Sequence, residues 1–196
     1  MNKWLHNIEF IGNTIKLVPL NESHKEGLLK AASDGELWKI WYTSVPSKDT
    51  ISKYIEFALN EQNAHRALPF VVIEKVSNKI IGSTRFCNAN SEHKRLEIGY
   101  TWYAKSYQRT IVNTECKYLL LNYAFEKLNC IAVVFRTNWY NHASRNAISR
   151  LGAKQDGVLR NHRIDKEGRL RDTVVFSILN SEWKSVKKSL EFRLEK

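Results

Sequence analysis

The sequence predicts an α+β (α/β) fold: a mixed, mostly antiparallel sheet flanked by four to five helices. Three observations carry that expectation. Phe70-Val71-Val72-Ile73-Glu74 and Ile80-Ile81-Gly82-Ser83-Thr84-Arg85-Phe86 are β-rich runs separated by turn residues at Ser77-Asn78, the pattern of an antiparallel hairpin. Residues 95–151 run strand, basic turn, amphipathic helix, apolar strand, Asn and short helix, a βαβ-like unit. Elsewhere, apolar residues recur at i, i+3, i+4 and i+7, the stripe of a helix lying on a sheet.

In chain order, Ile15-Lys16-Leu17-Val18-Pro19-Leu20 alternates before a proline and suits a first strand at an edge. Asn21 or Ser23 caps a helix over Lys25 to Ala32. Trp38, Trp41 and Tyr42 form an aromatic cluster that is either core or, with the two early helices, one wall of a substrate pocket. The second helix spans about Thr50 to Glu61, with Ile51, Tyr54, Ile55 and Ala58 on one stripe. After the hairpin comes the strand of Glu97. There Leu96, Ile98, Tyr100 and Trp102 alternate with Glu97, Gly99, Thr101 and Tyr103, so Glu97 shares a face with a residue lacking a side chain. Its carboxylate faces either solvent or a site.

The next helix spans about Thr114 to Leu128 with Leu121, Ala124, Phe125 and Leu128 on its stripe. Just upstream, Gln108 to Asn113 offers successive backbone N–H groups at the positive end of the helix dipole, either a plain capped turn or a seat for phosphate. Ile131-Ala132-Val133-Val134-Phe135 is continuous enough to be a strand buried on both faces. Asn141 caps the helix that stops at Gly152. On it Ser144, Ala147, Ile148 and Leu151 share a stripe, so Ser144 points inward near the helix start, for packing or for function. Gln155 to Ile164 and Leu170 to Leu179 pair around Asp165-Lys166-Glu167-Gly168. A closing helix at about residues 181–194 carries Trp183, Val186, Leu190 and Leu194. The count is seven strands.

No repeat or linker interrupts residues 1–196, which predicts one domain with its core at about residues 15–180. Met1 to Phe10 mixes Lys3, His6 and Glu9 with its apolar side chains, unlike a signal peptide, and no apolar run is long enough to cross a bilayer. A soluble, cytoplasmic protein is expected. Cys87, Cys116 and Cys130 are odd in number and lack a C-x-x-C pair, so neither disulfides nor a metal are expected. The net charge of +11 is spread along the chain and interleaved with acids, with no basic run of five. That distribution favours a phosphate-bearing cofactor or plain solubility over direct nucleic-acid binding.

Glu97-Ile98-Gly99-Tyr100, Gln108-Arg109-Thr110, Asn113-Thr114-Glu115, Asn141, Ser144-Arg145, Ala147-Ile148, Leu151-Gly152-Ala153 and Arg169-Leu170-Arg171-Asp172-Thr173 occur in this order. Together they make the chain resemble the GNAT-superfamily acetyltransferases, within them the ribosomal-protein N-terminal (RimJ/RimL-type) branch. The resemblance covers roughly Ile15 to Leu194. It implies acetyl-CoA wedged between the strand of Glu97 and that of Ile131 in a splayed sheet. The turn Gln108, Arg109, Thr110, Ile111, Val112, Asn113 and the following Thr114 would cradle the pyrophosphate. Backbone at Trp102 and Tyr103 would pair with the pantetheine arm, Asn141 would hydrogen-bond that arm, and Ser144 would face the thiol. A homodimer is also suggested by the resemblance.

The implied reaction is acetyl transfer to a primary amine, on a protein N-terminus or a small molecule, by direct attack. Glu97 is the candidate base, directly or through water. Ser144 is the candidate proton donor or hydrogen-bond donor to the departing thiolate, and positioned side chains typically contribute about 10²- to 10⁴-fold to such proton transfers. The chain departs from the superfamily at one point. Its pyrophosphate turn is usually Gln/Arg-x-x-Gly-x-Gly/Ala, whereas Gln108 to Asn113 contains no glycine. With helical angles at Ile111 the amides stay usable; a left-handed angle there would cost affinity and favour a catalytically weakened CoA-binding or regulatory module. The acceptor stays open, as does the placement of Glu36, Asp49 and Glu56, acids that could attract a cationic one.

Overall fold

The computed structural model describes residues 4–165 and 167–195, so the N-terminal segment is seen from Trp4. Residues 1–3 with Lys3, Lys166 of the Asp165 to Gly168 turn, and Lys196 lie outside the described residues.

One sheet of eight strands organises the described chain: β1 (Phe10–Ile11), β2 (Ile15–Pro19), β3 (Leu68–Glu74), β4 (Ile80–Asn90), β5 (Arg95–Tyr103), β6 (Ala132–Asn138), β7 (Lys154–Ile164) and β8 (Leu170–Leu179). Their order is β1-β2-β3-β4-β5-β6-β8-β7. The count exceeds the expected seven because Phe10 and Ile11 pair with Leu17 and Lys16. Two residues are too few for an alternating pattern to register in sequence. Five α-helices cover the sheet: α1 (Lys25–Ser33), α2 (Ile51–Asn63), α3 (Val112–Glu126), α4 (His142–Arg150) and α5 (Asn180–Leu194). Asn21 caps a 3-10 turn that leads into α1, and Asn78, with φ of 54°, turns the β3–β4 hairpin.

Alternation sorts the strands into two cores. Phe70, Val72, Phe86, Leu96, Ile98, Val133 and Phe135 point to the face covered by α3 and α5, whereas Val71, Ile73 and Trp102 point to the face covered by α1 and α2. Each such side chain fully buried contributes about 1.5–3 kcal/mol, enough for the sheet to hold both layers. Among the described residues no helix is long and apolar enough to cross a membrane.

Two features of the sheet shape the site. Every strand pair is antiparallel except β5 with β6, and that parallel pairing covers only Arg95–Glu97 against Ala132–Val134. Beyond Glu97 and Val134 the strands part, leaving an open wedge. The second feature is a β-bulge. Ser83 opposes Trp102 and Arg85 opposes Gly99, so β5 carries one extra residue there, and Tyr100 takes a φ of 51°. An inserted residue reverses the facing of everything after it. Leu96 and Ile98 therefore share the α3 face with Tyr103, while Trp102 packs among the α1 and α2 side chains. The expected single face for Leu96, Ile98, Tyr100 and Trp102 is thus corrected: the alternation breaks at Tyr100. Gly82 allows the close approach beyond the bulge, since a Cβ there would lie 2.2 Å from the Trp102 carbonyl oxygen.

Candidate active site

The chain leaves β5 through a short 3-10 turn, Lys105–Tyr107, tied to the end of α1 by the Lys105 N–H on the Asp34 carbonyl (3.0 Å) and the Ser106 N–H on the Asp34 carboxylate (3.0 Å). Gln108 folds its side-chain amide back onto the Tyr103 carbonyl at 3.0 Å. Arg109 takes the left-handed angle, with φ of 62°, and Ile111 keeps ordinary helical angles of −65° and −21°. The awkward backbone angle thus falls two residues earlier than the first glycine position of the usual turn, which is Ile111, and the Ile111 side chain stands 38% exposed.

The first turn of α3 has few internal acceptors. The Val112 N–H reaches the Thr110 hydroxyl at 3.4 Å, and that hydroxyl donates to the Tyr107 carbonyl at 2.7 Å. Among the described residues the N–H groups of Arg109, Thr110, Ile111, Asn113 and Thr114 meet no acceptor. Unpaired amides at the positive end of a helix dipole suit phosphate oxygens.

Across the wedge, Asn138 ends β6 and α4 begins. Asn141 spends its side-chain oxygen capping α4 at the Ser144 N–H (3.0 Å), which leaves only its Nδ2 for a ligand. Ser144 is half-buried, and among the described residues its hydroxyl has no partner. Arg145 stacks on Trp139, 4.4 Å from the ring centre, bracing the loop.

Glu97 sits at the apex, the last residue of β5 paired with β6. Its Oε2 accepts from Arg136 (2.7 Å) and from the Asn88 side-chain amide (2.8 Å). Its Oε1 lies over Gly99, where a Cβ would come within 3.2 Å. Gly99 therefore keeps the carboxylate's second oxygen uncovered. That oxygen's side of the sheet holds a cavity of about 230 Å³, whose wall includes Glu97, Arg85, Arg136, Asn138, Arg163 and Arg171.

Of the anticipated residues, Glu97 is the last in β5 to pair with β6, Trp102 and Tyr103 end β5, residues 108–114 lead into and begin α3, and Asn141 and Ser144 lie at the start of α4, just after β6. Ser144 is not on the wall of the cavity that Glu97 lines. Of the early aromatics, Trp38 packs into the α1 and α2 core, while Trp41 is 48% exposed against Tyr140 and Arg169. The pocket wall from that region is Ser44 with Phe57 and Glu61 of α2. Glu36, Asp49 and Glu56 are exposed and none of them lines the cavity. Sequence reasoning missed the arginines; the signal was Arg85, a charge inside the apolar and small run Ile80 to Phe86.

An open wedge in a mixed sheet, ending at a helix terminus suited to phosphate, is how a sheet protein takes up a long phosphate-bearing thioester, and it places this chain among the acyltransferases. The profile of the family described as "Acetyltransferase (GNAT) domain" matches residues 14–154, and the chain belongs to that family. The "Uncharacterized N-acetyltransferase p20" of Bacillus licheniformis is 28% identical over 137 residues, 70% of this chain and 74% of that protein. The crystal structure of a GCN5-related N-acetyltransferase from Brucella melitensis superposes with a TM-score of 0.84 at 26% identity, covering 96% of this chain and 86% of that one. Mycobacterium smegmatis RimJ in complex with CoA-disulfide superposes at 0.75 with 17% identity, over 91% and 88% of the two chains, a likeness of fold alone. Acetyl-CoA is the donor that GNAT acetyltransferases use. The residues here fit such a donor, since five unpaired amides stand at the start of a helix that follows a strand whose edge is left unpaired by β6 beyond Glu97.

Proposed function

We propose that the protein transfers the acetyl group of acetyl-CoA to a primary amine by direct attack, with the donor in the β5–β6 wedge and the amine in the cavity lined by Glu97. The observation that carries this reading is the position of Glu97 at the meeting of wedge and cavity, with Oε1 uncovered. Bound acetyl-CoA would supply an electrophilic thioester carbonyl and a thiolate leaving group. The N–H groups of Arg109, Thr110, Ile111, Asn113 and Thr114 would hold the diphosphate, and the β5 edge that faces away from β4 at Trp102 and Tyr103 would run beside the arm, with the Tyr103 carbonyl already taken by Gln108. Glu97 takes the proton that the amine must lose, directly or through one water. Ser144 would donate a hydrogen bond to the departing thiolate, which leaves as the thiol once the proton taken up by Glu97 is returned through solvent, and Asn141 would orient the arm through Nδ2. A protein N-terminus or a small amine satisfies this chemistry.

Direct attack is favoured over an acetyl-cysteine relay. Burial, reinforced by the Glu97 charge, holds the Cys87 thiol far above its usual value, and burial pushes Cys130 up to about 12. Neither supplies a thiolate near neutral pH. The three free, buried thiols also fit a reducing cytoplasm. A homodimer joined at the β7–β8 hairpin tip, where Ile164 and Leu170 are 71% and 61% exposed, belongs to the same proposal and is checked by sedimentation. Ordinary helical angles at Ile111 support the catalytic reading over a catalytically weakened CoA-binding module, although Arg109 in the same glycine-free turn takes the left-handed angle.

The deciding experiment measures thiol release from acetyl-CoA across a broad amine panel, beside a calorimetric titration of acetyl-CoA alone. Saturable binding with amine-dependent release is expected. Absence of binding at millimolar acetyl-CoA would dismiss the reading; binding without release for any amine would leave a CoA-binding module.

A further inference from the structure

The cavity beside Glu97 carries more positive charge than the protein neutralises. Arg85, Arg136, Arg163 and Arg171 lie on its wall against Glu61 and Glu97. Both acids are already engaged: Glu97 pairs with Arg136 at 2.7 Å and Glu61 with Arg66 at 2.6 Å. Asp165, close to Arg171, is held by Arg169 at 2.7 Å. Among the described residues Arg85, Arg163 and Arg171 have no carboxylate in ion-pair contact.

Arg85 is the sharpest case. It is 0% exposed, and its Nε, Nη1 and Nη2 all lack hydrogen-bond partners. Tyr100 lies 4.0 Å from the guanidinium carbon, with Tyr54 at 5.1 Å and Phe57 at 5.8 Å. Ring stacking occupies the faces of the guanidinium; its N–H groups point outward in the plane and are left over. A buried charge with unmet donors is strongly unfavourable unless an anion completes it. Arg171 Nε and Asn138 Nδ2 are likewise buried without partners. Every orphaned atom on this wall is a donor. Arg163 and Arg171 also stand directly opposite each other on β7 and β8, an arrangement that repels unless something negative lies near.

We infer that the amine acceptor carries a carboxylate, which docks on the in-plane donors of Arg85 with help from Arg171, Arg163 and Asn138 while its amine faces Glu97. The inference rests on the proposed acetyl transfer and names the acceptor's class: a primary amine with a nearby carboxylate. The group comes either from a free amino acid or from an acidic side chain next to a peptide N-terminus. A polyamine or an aminoglycoside, cationic throughout, is rejected by the same charges. Transfer follows the balance given above: the N–C bond forms, the C–S bond breaks, and the amine proton passes to Glu97 while the thiol is released.

The test compares free amino acids with their α-amides, and acidic-second-residue dipeptide amides with lysine-second-residue ones, by kcat/KM. N-acetyl-amino acids are titrated calorimetrically in parallel, because product binding does not require turnover. Carboxylate-bearing amines should exceed their neutral matches by on the order of thirtyfold or more, the usual scale for losing one partner of a buried charge pair. Preference for free amino acids or for acidic peptides identifies the carboxylate's source, and either supports the inference. Arg85→Met should remove the preference with acetyl-CoA affinity unchanged and should raise Tm, since it deletes an unpaired buried charge; a structural arginine would lower Tm on removal. The exposed Arg163→Met, which leaves the core intact, should reduce the preference severalfold. Equal rates for acids and amides, preference for cationic amines, or failure of both amino acids and their N-acetyl products to bind would overturn the inference. If neutral amines were still acetylated, acetyl transfer itself would stand.

Discussion

Lys117 and Arg85 are both buried cations, reaching opposite faces of one patch of sheet. Lys117, 4% exposed, comes from α3 and donates to the hydroxyls of Thr101 (2.7 Å) and Thr84 (3.3 Å), which are themselves 2.8 Å apart. Arg85 follows Thr84 in β4, points the other way, and donates to nothing. The lysine is completed by its own fold and braces the β5 bulge, which Thr101 helps to form. The arginine is left incomplete on the cavity side. Buried polar groups in folded proteins are normally paired. The α3 face therefore reads as scaffold and the α2 face as site.

That contrast can be broken or sharpened by substitution, and the largest effect should come on the site face. Glu97→Gln keeps shape and hydrogen-bonding reach but cannot take a proton. It should lower kcat by about 10²- to 10⁴-fold with little change in Tm; an unchanged kcat would move the base elsewhere. On the scaffold face the pattern should invert. Phe86, fully buried, packs against Phe70 and Tyr123 with ring centres 5.9 and 6.2 Å away. Phe86→Ala should cost about 3–5 kcal/mol in denaturant unfolding while leaving the KM values of the folded fraction near wild type.

Lys117→Met tests whether the paired cation is more than a brace. Burial lowers the lysine's pKa, so the folded state binds fewer protons than the unfolded one between that depressed value and the ordinary 10.5. Wild-type stability should therefore rise as pH climbs through that window, and the methionine variant should lose the rise while matching or exceeding wild-type stability at neutral pH. Stability that falls in the wild type over the same window would contradict the assignment. The smallest effect concerns the turn. Arg109 holds a left-handed angle without being glycine. Arg109→Gly should gain up to about 1 kcal/mol of stability and weaken acetyl-CoA binding only by the loss of one charge.

Much of the frame was legible in the chain. The hairpin around Asn78, the α3 helix, the buried β6 and the Asn141 cap each follow from residues close together in sequence, where turn chemistry and periodicity act directly. The bulge was not legible, because apolar and polar residues go on alternating across Tyr100 while the backbone inserts one residue against Thr84. Nor was the cavity's charge, since Arg85, Arg136, Arg163 and Arg171 meet only after β4, β6, β7 and β8 assemble. Read along the chain, each looked like one more solvated contribution to a net charge of +11. The acids that could attract a cationic acceptor, Glu36, Asp49 and Glu56, all stand outside the cavity.

Under the proposed function the unpaired amides at the start of α3 grip the donor, and amide resonances followed during a titration with acetyl-CoA show whether they do. The signals of Arg109, Thr110, Ile111, Asn113 and Thr114 should shift together and saturate, while that of Val112, already bonded to Thr110, moves less. If those five stay in place at acetyl-CoA concentrations that support turnover, the donor sits elsewhere and the account fails.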